Sequence, residues 1–248
     1  MPENEEYMKQ GYGIFGKPYE IMLRNDLHDP ASIDHALLRD MILLDGGSVH
    51  ALYQKPVCRN MEGHELFAFA QRFKAEHDRR SIRNVLDYTS DIAMRYDVDF
   101  KDMSFGGTEK QILLRGTDWC ADMARVGAVL LQCLGIPCRI LNVVDLIKAY
   151  NGHVAGEAYY EGSYGVVDFI YGYQFYGETP VSAWDILRNA DALSAYPEEY
   201  RGLYSAIGIS EYDPMDPHNN YAVSKPNEYC MKLIYTDHHD TWIMGEDK

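Results

Sequence analysis

The sequence predicts an α+β domain, and three observations carry that expectation. Apolar residues recur at helical spacing through the first hundred residues. A strongly apolar helix pattern then runs from about Trp119 to Leu134. After Pro137 the chain turns β-branched and apolar, and two such runs flank Glu161-Gly162-Ser163 as a hairpin. At 248 residues the chain is long enough to bury a full core without disulfide or metal staples. We expect a flexible polar start over residues 1–12 and a single domain over 13–248. Within it, about 28–100 is mainly helical, about 104–180 forms the core, and 181–248 is a C-terminal extension.

In chain order, a first helix follows Asp29-Pro30, with Ile33, Leu37, Met41 and Leu44 on one face and Gly46-Gly47 ending it. A second is expected from Glu62 to His77, with Leu66, Phe69, Ala70 and Phe73 inward. A third runs from about Arg80 to Tyr96, burying Ile82, Val85, Leu86, Ile92 and Tyr96. Ser104 to Thr108 is a turn-rich break, and Glu109 to Arg115 leads into the central stretch. Strands are expected over Cys138–Val144, His153–Tyr160 and Tyr164–Tyr171. Pro180 to Leu193 reads as helical, and Glu228 to Thr236 as a closing strand.

Composition narrows the function classes. Hydrophobic residues make up 46% and charged residues 25%, an ordinary globular balance. The net charge of -15 argues against a nucleic-acid partner, which needs a basic surface, and against an anionic membrane surface. No apolar run approaches the roughly 20 residues that span a bilayer. The opening Met1 to Glu6 is acidic, without the basic and apolar parts of a signal peptide. Five irregularly spaced cysteines form no CxxC pair. A cytoplasmic, reduced protein is therefore expected.

Chemistry concentrates between Gly116 and Tyr171. On the Trp119–Leu134 helix, Trp119, Met123, Val126, Leu130 and Leu134 make one apolar stripe. Cys120, Ala124 and Gly127 make a neighbouring stripe of small residues that lets another element approach. Cys120 falls in the first turn. There the unpaired N–H groups and partial positive charge favour a thiolate, the nucleophilic form. The same N–H groups stabilise a developing oxyanion. A lone cysteine is more often inert packing, and Cys58, Cys133, Cys138 and Cys230 take that reading.

The hairpin supplies possible partners. With a two-residue Glu161-Gly162 loop, Asp168 faces Ala155, two positions from His153 on the same face. Such diagonal neighbours are close enough for an imidazole and a carboxylate to meet. A three-residue loop would send Asp168 to the opposite face. Cysteine, histidine and aspartate in this arrangement are the parts of a thiol-nucleophile site. The same residue types also ligate zinc, but a cysteine at a helix start needs no metal to explain it. No cofactor and no metal are expected. Asp237-His238-His239-Asp240 resembles a metal cluster in composition only. Trp119, Tyr171 and Glu157 are candidate substrate-binding residues beside the central three. Gln111, upstream of Cys120, is a further thought as an oxyanion donor. The tyrosines around the hairpin read chiefly as strand packing, and otherwise as an aromatic wall.

This ordered set resembles the transglutaminase-like superfamily, a branch of the papain-like cysteine enzymes. The resemblance lies in Cys120-x-Asp122-x-Ala124 at a helix start and Leu134-Gly135-Ile136-Pro137-x-Arg139 after it. It continues in Gly152-His153 opening a strand with Glu157 four later, and in Val167-Asp168 closing the next. It covers about 55 of the 248 residues. The resemblance implies a papain-like core, with a nucleophile helix packed on an antiparallel sheet and extra N-terminal helices. It implies Cys120 as nucleophile, His153 as general base and acid, and Asp168 as the orienting residue. The implied activity is acyl transfer through a thioester on a peptide, amide or acyl thioester. That spans a cysteine peptidase or amidohydrolase, an amide-forming acyltransferase, or a catalytically silent binding module of the same fold. Ala155 stands where members often carry an aromatic, and Tyr164-Gly165 where a tryptophan often precedes the aspartate. The zinc-binding cysteine pairs of the deglycosylating branch and the long N-terminal β-domain of the crosslinking branch are absent from the sequence.

Overall fold

The computed structural model describes residues 53–144 and 152–193, and beyond them 198, 203, 204, 206–210, 212–216 and 223. The expected helix after Pro30, the polar start, the strand at Glu228–Thr236 and the Asp237–Asp240 cluster lie outside the described residues. The described chain is α+β. Its helices are α1 (Phe67–Ala70), α2 (Asp78–Arg95), α3 (Glu109–Arg115), α4 (Cys120–Cys133) and α5 (Ala183–Arg188). Its strands are β1 (Cys138–Val144), β2 (Gly152–Tyr160), β3 (Ser163–Asp168), β4 (Tyr173–Gln174) and β5 (Ala206–Ser210). They form one antiparallel sheet in the order β4-β3-β2-β1-β5.

α4 is the central helix. Every residue from Ala121 to Cys133 is buried. Its apolar side chains meet Val154, Ala158 and Val167 of the sheet, and Ile82, Val85 and Leu86 of α2. A Schellman pattern closes it: the Gly135 N–H donates to Gln132 O at 2.9 Å and the Ile136 N–H to Leu131 O at 3.0 Å. β1 begins four residues after the last helical turn's cap, at Cys138. A 14-residue helix rises about 21 Å and a seven-residue strand about 23 Å. The start of α4 and the end of β1 therefore sit at the same level, and β2 begins there. A second apolar cluster joins Leu141, Val143, Ala155 and Val166 to Phe175, Ala183, Ile186 and Tyr204.

Gly127 lets Phe169 reach α4. A Cβ on Gly127 would lie 2.1 Å from Phe169 Cδ1, and one on Gly156 would lie 2.6 Å from Cε2 of the same ring. The small stripe on α4 thus receives the residue that follows Asp168. The β2–β3 hairpin closes through Glu161 and Gly162, both at positive φ (51° and 89°), as a type I′ turn requires. Its register pairs Tyr160 with Ser163 and Gly156 with Val167.

Three elements differ from expectation for local reasons. The Glu62–His77 helix shrinks to α1 and a 3-10 turn at Gln71–Phe73. Asn60 and His64 side chains capture the N–H groups of Glu62 and Leu66, and Ser81 captures that of Ala75. Such bonds compete with helix at both ends. The third strand stops at Asp168 instead of Tyr171, because the Asp168 carboxylate accepts the Ile170 and Tyr171 N–H groups. The Pro180–Leu193 helix starts only at Ala183, where Ser182 and Asp185 form a capping box. Asn189 then separates it from a 3-10 turn over Ala190–Leu193. Among the described residues no helix is long and apolar enough to cross a membrane.

Candidate active site

Cys120 is the first residue of α4, and Trp119 is its N-cap. A tryptophan carries no side-chain acceptor, and Trp119 makes no capping hydrogen bond. The first-turn N–H groups are thus not claimed by their own cap residue. Cys120 is half-buried. The Trp119 N–H donates to Thr117 Oγ1 at 2.9 Å, which sets the chain's entry into the helix.

His153 is the second residue of β2, and Asp168 the last of β3. Continued one residue past the Gly156–Val167 pair, the register puts Asp168 opposite Ala155, on the face that carries His153. His153 Nε2 lies 2.7 Å from Asp168 Oδ2. The Cys120 sulfur is near enough to the imidazole to add to its hold on a proton. With Nε2 held by the carboxylate, Nδ1 is the nitrogen left for sulfur. Burial disfavours the charged ring, but the Asp168 carboxylate and the Cys120 sulfur outweigh it and hold His153 up at about 10. At neutral pH a ring held this high carries its second proton. Of the three residues read as a triad, His153 and Asp168 are in direct contact, and Cys120 acts on the same ring.

The other Asp168 oxygen, Oδ1, accepts the Ile170 and Tyr171 N–H groups at 3.0 and 3.1 Å. That turn sets the Tyr171 ring against the imidazole, with centroids 5.4 Å apart and an interplanar angle of 54°. His153 is 7% exposed and Tyr171 54%. The remaining hairpin tyrosines go elsewhere. Tyr160 stacks on Tyr176, and Tyr159 packs edge-on against Tyr164.

The other expected contributors are placed differently. Trp119 is half-buried and packs edge-on against Phe105 at 4.8 Å, so its ring is partly committed to the core. Glu157 is fully buried and does not face an open site, which corrects its reading as a substrate-binding residue. Its Oε2 takes Arg139 Nη2 at 2.6 Å and Nε at 2.9 Å, and its Oε1 takes the Ala183 N–H and the Tyr53 hydroxyl. The Arg139 guanidinium also lies 4.8 Å from the Tyr53 ring and 3.7 Å from the Tyr164 ring, which meet edge-on. Strand pairing puts two opposite charges face to face at Arg139 and Glu157, and their neighbours satisfy the rest. Gln111 is spent on the α3 capping box, its Oε1 accepting the Thr108 N–H at 2.9 Å. Cys58 is exposed rather than buried, whereas Cys133 and Cys138 are buried as expected. Burial pushes the Cys133 thiol up to about 12, which suits an inert role.

Sequence reasoning did not foresee how the turn that carries Cys120 is braced. Asp122, fully buried, accepts the Gly106 N–H at 2.9 Å and Arg115 Nη2 at 3.0 Å, while Arg115 also donates to Gly106 O. Arg125 reaches Glu109 at 2.9 Å and Gly107 O at 3.0 Å, and the Tyr212 hydroxyl donates to Glu109. These bonds tie the 106–107 turn, α3 and the Tyr212 segment to the first two turns of α4. An aspartate and an arginine three apart on an otherwise apolar helix were the available signal.

A cavity of about 420 Å³ lined by Cys58, Arg59, Gln132, Pro137, Cys138 and Arg139 lies at the far end of α4 from Cys120. It contains none of the three central residues. Among the described residues no group of three or more His, Cys, Asp or Glu side chains is arranged to hold a metal ion. Compared with protein-family models, with curated proteins and with solved structures, the chain shows no significant match in any of the three.

Proposed function

We propose that this chain is a thiol-dependent acyl-transfer enzyme built on a transglutaminase-like core. One observation carries the reading: a strand-end aspartate bonds a buried histidine on which the helix-start cysteine also acts. Cys120 is the nucleophile, His153 moves the proton, and Asp168 fixes the ring's tautomer and orientation. The chain order of the three residues, the nucleophile helix packed on an antiparallel sheet and the Arg139–Glu157 pair all support the family assignment.

The reaction starts from an ion pair in which His153 holds the proton and sulfur the negative charge. Cys120 Sγ attacks the carbonyl of a peptide, amide or acyl thioester. The oxyanion is held by first-turn N–H groups of α4. The S–C bond forms, the bond to the leaving amine or thiol breaks, and His153 gives that group its proton. Neutral His153 then takes a proton from water or an amine, which attacks the thioester and frees the thiol. Hydrolysis and transfer differ only in what reaches the acyl-enzyme. The free thiols at Cys58, Cys120, Cys133 and Cys138 support a reducing, cytoplasmic setting.

The test is intact-mass spectrometry in a Cys58→Ser background, which removes the exposed thiol among the described residues. The protein is incubated with peptides, glutamine amides and acyl thioesters, with and without added amine. A mass increase lost in Cys120→Ala and discharged by water or amine is expected. A folded protein with a free Cys120 that labels no faster with iodoacetamide than an ordinary thiol, and takes up no acyl group, would favour a silent binding module instead.

A further inference from the structure

We infer that Arg115 is a positioning residue for Cys120: through Asp122 and the Phe105–Gly106 turn it fixes the first turn of α4 in the geometry that acylation needs. The inference rests on the acyl-enzyme reading above and adds which residue outside the central three sets the geometry of attack.

The grip has two points, one on each side of Cys120 along the chain. Phe105 packs edge-on against Trp119, the residue before Cys120, with ring centroids 4.8 Å apart. The Gly106 N–H donates to Oδ2 of Asp122, which follows Cys120 in the same turn of helix, at 2.9 Å. Consecutive turn residues therefore hold Trp119 and Asp122, and Cys120 lies between them. Arg115 holds the turn in its place. Its Nη1 and Nη2 each donate to Gly106 O at 3.1 Å, and Nη2 also donates to Asp122 Oδ2 at 3.0 Å. Gly106, Asp122 and the guanidinium close a ring of hydrogen bonds.

The ring steadies the turn without using what the chemistry needs. The first backbone bond of α4 runs from the Met123 N–H to Trp119 O at 3.0 Å, so the N–H groups of Cys120, Ala121 and Asp122 precede it. These are the groups assigned above to the oxyanion. An ordinary side-chain cap would take one of them. α3 and α5 are capped in that way, by Thr108 and Ser182. α4 has Trp119 at that position instead. Its brace bonds Asp122 through the carboxylate and leaves all three N–H groups out of the ring. An attacking sulfur and its oxyanion donors must be held together, since a misplacement of about 1 Å costs roughly 10²-fold in rate. Arg115 is also the member of the ring that can be changed most gently. Its side chain is 20% exposed, and Arg125 Nη1, 3.9 Å from Asp122 Oδ1, leaves the buried carboxylate a cationic neighbour.

The test uses the full chain with Cys58→Ser and compares two reactions of Cys120, followed by mass and assigned to the residue by peptide mapping. S-phenyl thioacetate acetylates it: the S–C bond forms through an oxyanion, and thiophenol leaves with the proton. Iodoacetamide alkylates it: the S–C bond forms, iodide leaves, and no oxyanion arises. A brace that positions the attack matters to the first reaction and not to the second. Arg115→Met should lower the limiting acetylation rate about ten- to hundredfold. The half-saturating thioester concentration and the alkylation rate should stay within about twofold. Arg115→Lys, which keeps the charge and a donor, should recover part of the rate, and it carries the same comparison should the methionine variant not fold. Both reactions slowed by one factor, or neither slowed, would overturn the role of Arg115 while leaving the acyl-enzyme standing. A parent Cys120 acetylated no faster than glutathione would overturn the acyl-enzyme reading and this inference with it.

Discussion

Asp168 divides its two oxygens between two tasks: Oδ2 sits 2.7 Å from His153 Nε2, and Oδ1 caps the turn that carries Tyr171. Asp168→Asn keeps the size and the turn but loses the charge. The His153 pKa should then fall well below its present value of about 10, read by NMR titration of the imidazole. For an active enzyme the rate constant should drop by 10² or more, with a smaller change in KM. A pure KM effect would show that Asp168 does not act through the ring.

The same pair makes stability depend on pH with a definite sign. His153 is raised in the folded chain from 6.5 to about 10, with Asp168 the main cause that raises it against burial. The folded state therefore binds this proton more tightly than the unfolded one. The stabilisation is fully present below about pH 6.5 and is lost as pH rises toward 10. Urea midpoints of the parent should fall over that window. Those of Asp168→Asn should fall less, and parallel curves for the two proteins would remove the ion pair from the account.

Breaking the Arg139–Glu157 pair should cost far more than replacing it. Glu157→Leu leaves the fully buried Arg139 guanidinium without its carboxylate, and a loss of about 3–5 kcal/mol is expected. The double variant Arg139→Met, Glu157→Leu should recover most of it. Denaturant unfolding of the three proteins checks this. A mild effect of the single change would mean that the guanidinium finds water.

Gly127→Ala should destabilise by about 1–3 kcal/mol, because its Cβ would land on the Phe169 ring. The ring is wedged between two glycines and has little room to retreat. Since Phe169 follows Asp168 directly, the variant should also shift the His153 titration. A normal midpoint and titration would show that the ring moves aside freely.

The contact of His153 with Asp168 was more legible in the sequence than the frame around it, for physical reasons. A single tight turn dictates hairpin register, so two residues at Glu161 and Gly162 were enough to align His153 with Asp168. The Cys120 helix was legible because its apolar stripe and its glycine stop are local signals. β5 was missed, as five residues with a central glycine at a sheet edge carry little pattern of their own. The Glu62–His77 helix was overdrawn because apolar spacing does not reveal that Asn60, His64 and Ser81 capture its N–H groups. Glu157 was misplaced because only strand pairing shows that it faces Arg139. The buried network of Asp122, Arg115, Arg125 and Glu109 joins neighbouring segments of the chain to Tyr212, which lies far along it.

The two-residue turn also restricts how this hairpin tolerates length change. Every symmetric extension adds one residue to each strand, so the interval of 15 from His153 to Asp168 stays odd. Glu161 and Gly162 are exposed and look like an ordinary site for insertion. A single extra residue there would nevertheless swing the aspartate to the far side of the sheet, whereas a matched pair, one on each arm, would leave it facing the histidine. Divergence and engineering at this tip are thus bound by parity, and steps of two are the permitted currency of change.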